Sequence, residues 1–277
     1  MIKLFRCVFL SLLIICLPVN AEKSKQRIIT LSPNSVEMLY SIGAGDRIVG
    51  TVEYSDYPKE ATNIPIIGNY SGVQIEKILE LKPDVIVAWK TGNKSTDLEK
   101  LASLGMNIHY TQAESLTEIG NEILRLGELT GNQKQARSVV QKLESRYQKI
   151  KSSYMHKTPV SVFYQLWHEP LQSVGANGWI ASMINDCGGL NLFNKVKNDY
   201  PLVSMETILV KNPKVIIIPQ HSGNEGAEHN IWDRWDIIDA VKMNRIFTIN
   251  GDLLHRFTPR AVEGLEQLCQ RIDEGRK

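Results

Sequence analysis

The chain has 277 residues, with 32 Lys and Arg against 30 Asp and Glu, for a formal net charge of +2. Hydrophobic residues make up 43% and charged residues 22%, the mix of a folded globular protein and not of a disordered, collagen-like or multi-span membrane chain. At roughly 100–200 residues per domain this length predicts one large domain or two of moderate size, and without a strong basic excess nucleic acid is not the expected partner.

At the start of the chain, Lys3 and Arg6 form a short positive region, residues 8–17 are almost wholly apolar, and Val19-Asn20-Ala21 offers a cleavage site. This is the pattern of a secretory signal peptide over residues 1–21, and it is too short to span a bilayer. Cys16 suggests lipidation, but Ile15 is not the small residue that precedes a lipoprotein cysteine. Cleavage after Ala21 leaves 30 residues of each sign and no net charge, so no field for polyanions is expected. Cys187 and Cys269 remain. An even count in an exported chain suggests one disulfide, and two unpaired buried thiols are the alternative.

In chain order, residues 27–31 predict a strand entering the turn Ser32-Pro33-Asn34, and residues 35–42 a helix stopped by Gly43. A strand follows over 47–52. The segment from Ile75 to Trp89 reads as a short helix stopped near Pro83 and then a buried, β-branched strand, because proline cannot continue a helix and such a run suits a strand covered on both faces. Residues 97–104 predict a helix ended by Gly105, and 107–111 the next strand. Residues 133–154 carry apolar or aromatic side chains at Ala136, Val139, Val140, Leu143, Tyr147 and Ile150 with neither Gly nor Pro. That is one buried stripe at helical spacing. Further strands are predicted at 160–166, 215–219 and 245–249, and helices at 181–186 and 259–271. The stretch from Asp252 to Arg256 reads as a loop.

The segment from Met205 to Pro219 repeats that from Ile75 to Trp89 at a constant offset of 130 residues. Glu76 matches Glu206, Ile78 matches Ile208, Leu79 matches Leu209, Pro83 matches Pro213, Val85 matches Val215 and Ile86 matches Ile216. Two similarly built lobes are the simplest reading. The predicted fold is α/β, with two Rossmann-like lobes of parallel sheet joined by one long rigid α-helix. The expected division is a signal peptide at 1–21, an N-terminal lobe at 22–131, a linking helix at 132–156 and a C-terminal lobe at 157–277.

An exported two-lobed chain with a long linking helix resembles the helical-backbone (class III) periplasmic binding proteins of ABC importers, and most closely the cobalamin-binding members. The matching phrases are Ile28-Ile-Thr-Leu-Ser-Pro33, Tyr54-Ser-Asp-Tyr-Pro58, Leu81-Lys-Pro-Asp84 with Ala88-Trp89, Leu101-Ala-Ser-Leu-Gly105, Cys187-Gly-Gly189 and Pro259-Arg260. The resemblance implies a monomer in the periplasm that carries cobalamin between its lobes, as cargo and not as a cofactor, to a permease and ATPase complex. It implies that Tyr54, Tyr70, Trp89 and Trp232, together with Asp252, Leu253, Leu254, His255 and Arg256, line the ligand cleft. It makes Glu76 and Glu206 the knobs that dock on the permease, and Cys187–Cys269 a disulfide. The sequence departs from the cobalamin-binding pattern at Tyr70, Leu253, Leu254, His255 and the phrase Trp167-His168-Glu169-Pro170.

The residue chemistry agrees. Corrin is a wide, mostly flat ring edged with amides, so its site needs aromatic faces and a few polar groups at the rim. Tyr54, Tyr70 and Trp89 fall at or just after strand ends, where open parallel sheets bind ligands. Glu76 and Glu206 begin equivalent helices, a place where a carboxylate also complements the helix dipole by about 0.3–1 kcal/mol. The six histidines lack compact metal-ligand spacing, and the motifs of nucleophilic or phosphate chemistry are missing. A metal site and an enzyme are therefore not expected. A haem or ferric-siderophore carrier is the alternative within the same class, and an exported α/β hydrolase the alternative outside it.

Overall fold

The computed structural model describes residues 25–220 and 231–277. The predicted signal peptide, Cys7, Cys16, His221 and His229 lie outside them. The first half builds β1 (Ile28–Thr30), α1 (Pro33–Ser41), β2 (Ile48–Gly50), the ribbon β3 (Gly68–Asn69) and β4 (Gly72–Val73), α2 (Ile75–Glu80), β5 (Val85–Trp89), α3 (Ser95–Ser103), β6 (Ile108–Thr111) and α4 (Leu116–Thr130). Helix α5 (Gln133–Tyr154) follows. The second half builds β7 (Val160–Tyr164), the ribbon β8 (Trp167–His168) and β9 (Leu171–Gln172), α6 (Trp179–Asp186), β10 (Gly189–Asn191), α7 (Met205–Lys211), β11 (Val215–Gln220), α8 (Asp239–Lys242), β12 (Ile246–Asn250), α9 (Gly251–His255) and α10 (Ala261–Glu274).

Each half holds a four-stranded parallel sheet. The order is β2-β1-β5-β6 in the first and β10-β7-β11-β12 in the second. Counted within each lobe, both read 2-1-3-4. The offset of 130 survives in three dimensions: α2 matches α7 and β5 matches β11. Even the turns between them agree, because Lys82 and Asn212 both take positive φ, at 44° and 41°, just before Pro83 and Pro213. A side chain with a Cβ adopts that conformation only where its surroundings enforce it.

The inner strands β1, β5 and β11 are buried on both faces, and alternation decides which core each residue joins. Ile28, Val85 and Val87 face the central core, while Ile29, Ile86 and Ala88 face α2 and α3. Val215 and Ile217 likewise face the central core, while Ile216 and Ile218 face α7 and α8. The central core runs unbroken through both halves. Helix α5 lies along it and buries Ala136, Val140, Leu143 and Ile150, the stripe that its sequence spacing predicts. At 22 residues it is about 33 Å long.

Helix α4 is harder to see in the sequence because Gly120 and Gly127 interrupt it. The glycines are there for packing: a Cβ on Gly127 would sit 2.5 Å from the Cβ of Ala136, so α4 and α5 approach closely only with glycine at that place. Ser115 starts α4 by accepting a hydrogen bond from the Glu118 N–H at 3.2 Å, and Gly131, at φ 73°, ends it. The stretch after β12, expected as a loop, is the short helix α9, capped where the Asn250 side chain accepts from the Asp252 N–H at 2.8 Å. No helix among the described residues is long and apolar enough to cross a membrane.

Cys187, just after α6, bonds to Cys269 on α10 across a separation of 82 residues. Both are fully buried in the central core. Replacing both by Ala should cost about 2–4 kcal/mol, the usual effect of a cross-link over a long loop. Denaturant unfolding of the double variant checks the cost. Alkylation of the native oxidised protein, followed by intact mass, should show neither cysteine modified.

Candidate functional site

The carboxyl ends of the strands converge on a cleft of about 720 Å³ with walls from both lobes. Trp89 ends β5, Ala113 lies just past β6, and Leu166 lies just past β7. This is where open parallel sheets present ligand sites. The second lobe adds Trp179, Tyr200, His255 and Phe257, with Asn177, Gln172 and Asp199 as polar groups.

Three aromatic rings run in series across the seam between the lobes. Phe257 lies 6.4 Å from Trp89 and 5.1 Å from Trp179, tilted by 57° and 63°, a favourable arrangement for such rings. Each tryptophan is anchored, Trp179 through its indole N–H and Trp89 through its backbone N–H. The Trp179 Nε1–H donates to the Leu254 carbonyl at 2.6 Å. The Trp89 N–H donates to Asn93 Oδ1 at 2.7 Å, and Asn93 Nδ2 donates to the Leu31 carbonyl at 2.7 Å, so one side chain ties the ends of β5 and β1. The chain then folds back against the indole at Gly92, where a Cβ would fall 1.9 Å from the ring. His255 is held from behind by a 2.8 Å hydrogen bond between its Nε2 and the Tyr164 hydroxyl. Full burial pushes the Tyr164 pKa well above its ordinary value, so the hydroxyl keeps its proton.

The residues expected at the site divide. Trp89 and His255 line the cleft. Tyr54 and Tyr70 are open to solvent, 70% and 84% exposed; Tyr54 lies on the turn before Asp56, and Tyr70 at the tip of the β3–β4 ribbon. Trp232 does not reach the cleft. It is 0% exposed, packed edge-on against Phe163 and bonded through Nε1 to Gln165 Oε1 at 2.7 Å. Its large apolar ring belongs to the second-lobe core with Phe163, Ile208, Ile216 and Ile238. Leu253 and Leu254 are also corrections. Both are buried, because α9 turns one face inward against α10.

Asp252 and Arg256 belong to an ion cluster that joins the lobes. Arg256 Nη1 donates to Asp56 Oδ1 at 2.7 Å and to Glu37 Oε1 at 3.1 Å, and its Nη2 lies 3.1 Å from Asp252 Oδ2. Arg260 donates to both oxygens of Glu37, at 2.8 and 2.7 Å. Burial disfavours both guanidinium charges, but the bonds to Asp56 and Glu37 outweigh it, and both pKa values are raised.

Three aromatic residues of the cleft escape sequence reasoning: Trp179, Phe257 and Tyr200. Tyr200 carried a usable signal. It follows Tyr70 by the same offset of 130 and is 61% exposed. Trp179 and Phe257 had none, since an aromatic beside a helix end is as often core as wall.

Glu76 and Glu206 are exposed and stand second in α2 and α7. The Glu206 pKa is lowered by its own backbone N–H and by the Ser204 hydroxyl. His109 is half-buried, and burial, then the Arg125 charge, lower its pKa and favour the neutral ring. Among the described residues no group of three or more His, Cys, Asp or Glu is placed to hold a metal ion.

Known proteins match this chain throughout. The family model for periplasmic binding proteins matches residues 28–253. The vitamin B12-binding protein of Vibrio cholerae is 35% identical over 279 residues, covering 100% of this chain and 99% of that one. Its counterpart in Vibrio parahaemolyticus is 30% identical over 268 residues, covering 96% of each. The crystal structure of the periplasmic vitamin B12 binding protein BtuF of Vibrio cholerae superposes with a TM-score of 0.82 over 91% of this chain and 98% of that one. The periplasmic heme-binding protein RhuT from Roseiflexus shares the fold at a TM-score of 0.80 and 20% identity, over 91% of this chain and all of its own. With its paired parallel sheets, its single linking helix and a match over nearly all of the described residues, the chain belongs to the periplasmic binding protein family.

Proposed function

We propose that the protein binds cobalamin between its lobes in the periplasm and delivers it to an ABC importer, a permease and ATPase complex of the BtuC and BtuD type. The observation that carries this reading is the aromatic-walled cleft at the strand ends, in a chain alike over its full length to vitamin B12-binding proteins. A corrin face suits the rings of Trp89, Trp179, Phe257 and Tyr200. The amides at its rim suit Asn177, Gln172, Glu114 and Asp199. Tyr54 and Tyr70 are the exposed aromatics of the N-terminal rim. The protein's work is capture and delivery, without a reaction of its own, and cobalamin is cargo. It acts as a monomer after cleavage behind Ala21, with lobes at 22–131 and 157–277 about the helix at 132–156.

Calorimetric titration with cyanocobalamin, haemin and a ferric siderophore should give tight binding for cyanocobalamin alone. Trp89→Ala and Tyr200→Ala should each weaken it by about 1–3 kcal/mol, the burial of one large side chain, which is roughly tenfold to hundredfold in affinity. Binding of haemin in place of cyanocobalamin would move the assignment to the haem carriers.

Glu76 and Glu206 would dock the permease through one acid on each lobe. The double variant Glu76→Lys, Glu206→Lys should keep its affinity for cyanocobalamin and lose its stimulation of the transporter's ATPase. Normal uptake by that variant would remove the docking role.

A further inference from the structure

We infer that Glu37 is a positioning residue whose buried carboxylate clamps the lobes together and thereby sets the ligand wall. The inference rests on the proposed cobalamin site. Glu37 sits on α1 of the first lobe and is 3% exposed. Both of its oxygens accept from second-lobe guanidiniums, Arg256 once and Arg260 twice. A carboxylate buried this deeply is stable only when so paired, and neutralising it takes from Arg260 its carboxylate partner and leaves Arg256 to Asp56 and Asp252.

The clamp is mounted firmly on each side. On the first lobe, Ser32 caps α1 with Pro33 at its first position. A buried hydroxyl chain from Thr30 to Thr51 to Ser55, with links of 2.8 Å, pins the turn that carries Asp56 and Tyr57. Asp56 takes the other side of Arg256, and the Tyr57 ring lies 3.6 Å from the Arg260 guanidinium. On the second lobe, a Cβ on Gly264 would fall 2.5 Å from the Leu253 carbonyl, so α9 and α10 are pressed together at that glycine.

Arg256 lies between His255 and Phe257 in the chain, and both neighbours line the cleft. Holding Arg256 therefore holds two pieces of the wall. Phe257 in turn meets Trp89 across the seam. Glu37 is not among the residues that line the cleft, and its bonds run to Arg256 and Arg260, so its influence on the ligand passes through them.

Two measurements test the clamp. Spin labels at Glu80→Cys on α2 and Val210→Cys on α7, both exposed and equivalent in the two lobes, report the distance between lobes in the ligand-free protein. Glu37→Gln and Arg260→Gln should each broaden that distribution. In the unlabelled protein each should raise the dissociation constant for cyanocobalamin at least about tenfold, mainly through a faster off-rate. The double variant should be no worse than the weaker single, because both break one unit. If Glu37→Gln fails to fold, Arg260→Gln and Asp56→Asn carry the same test. An unchanged distance distribution with an unchanged dissociation constant, or additive losses in the double variant, would overturn the inference. If the wild-type protein binds no cyanocobalamin the ligand reading falls, and the distance measurement still decides the clamp.

Discussion

Helix α5 is the constraint on which the rest of the structure depends. It is the single covalent link between the sheets, and its buried face belongs to a core that continues from Ile28 in β1 to Ile272 in α10. A linker of glycine and serine would leave two independent lobes and a cleft of no fixed width. A packed helix does the opposite. Any large rotation of one lobe must break apolar contacts along α5, which α4 and α10 cover from either side. The close approach at Gly127 and Ala136 makes this seam tight. The lobes can therefore rock, but the spacing of the strand ends is largely given by the core.

Within that frame the segment from α9 to the start of α10 serves two purposes at once. Its alternate residues face different surroundings: His255 and Phe257 meet the cleft, while Arg256 meets carboxylates of the opposite lobe. Leu253 and Leu254 anchor the segment to the core. The aromatic wall is thus held by contacts within the protein, and a ligand entering it orders few side chains. The same density of contacts explains why Trp232 is core and not wall. The second-lobe core holds a large ring against Phe163, and Gln165 satisfies the indole N–H.

The sequence alone determined the α/β class, the two lobes, the repeat at an offset of 130, the helix at 133–154 to the residue, and Cys187 and Cys269 as the two cysteines beyond residue 21. All of these follow from local order: the period of apolar residues, the punctuation by Gly and Pro, and simple counting. The strand end at Trp89, and the family resemblance at His255, also pointed to two residues that line the cleft. Only the tertiary structure decided which aromatics face the cleft and which fill a core. Trp232, Trp179 and Phe257 look alike in sequence, and they differ in what packs around them. It also decided that Arg256 and Arg260 are the partners of Glu37, with Asp56 on the other side of Arg256, across about two hundred residues of chain. A charge in a sequence shows no partner until the fold brings one near. The physical reason is that burial and pairing depend on contacts far apart in the chain, which no local pattern encodes.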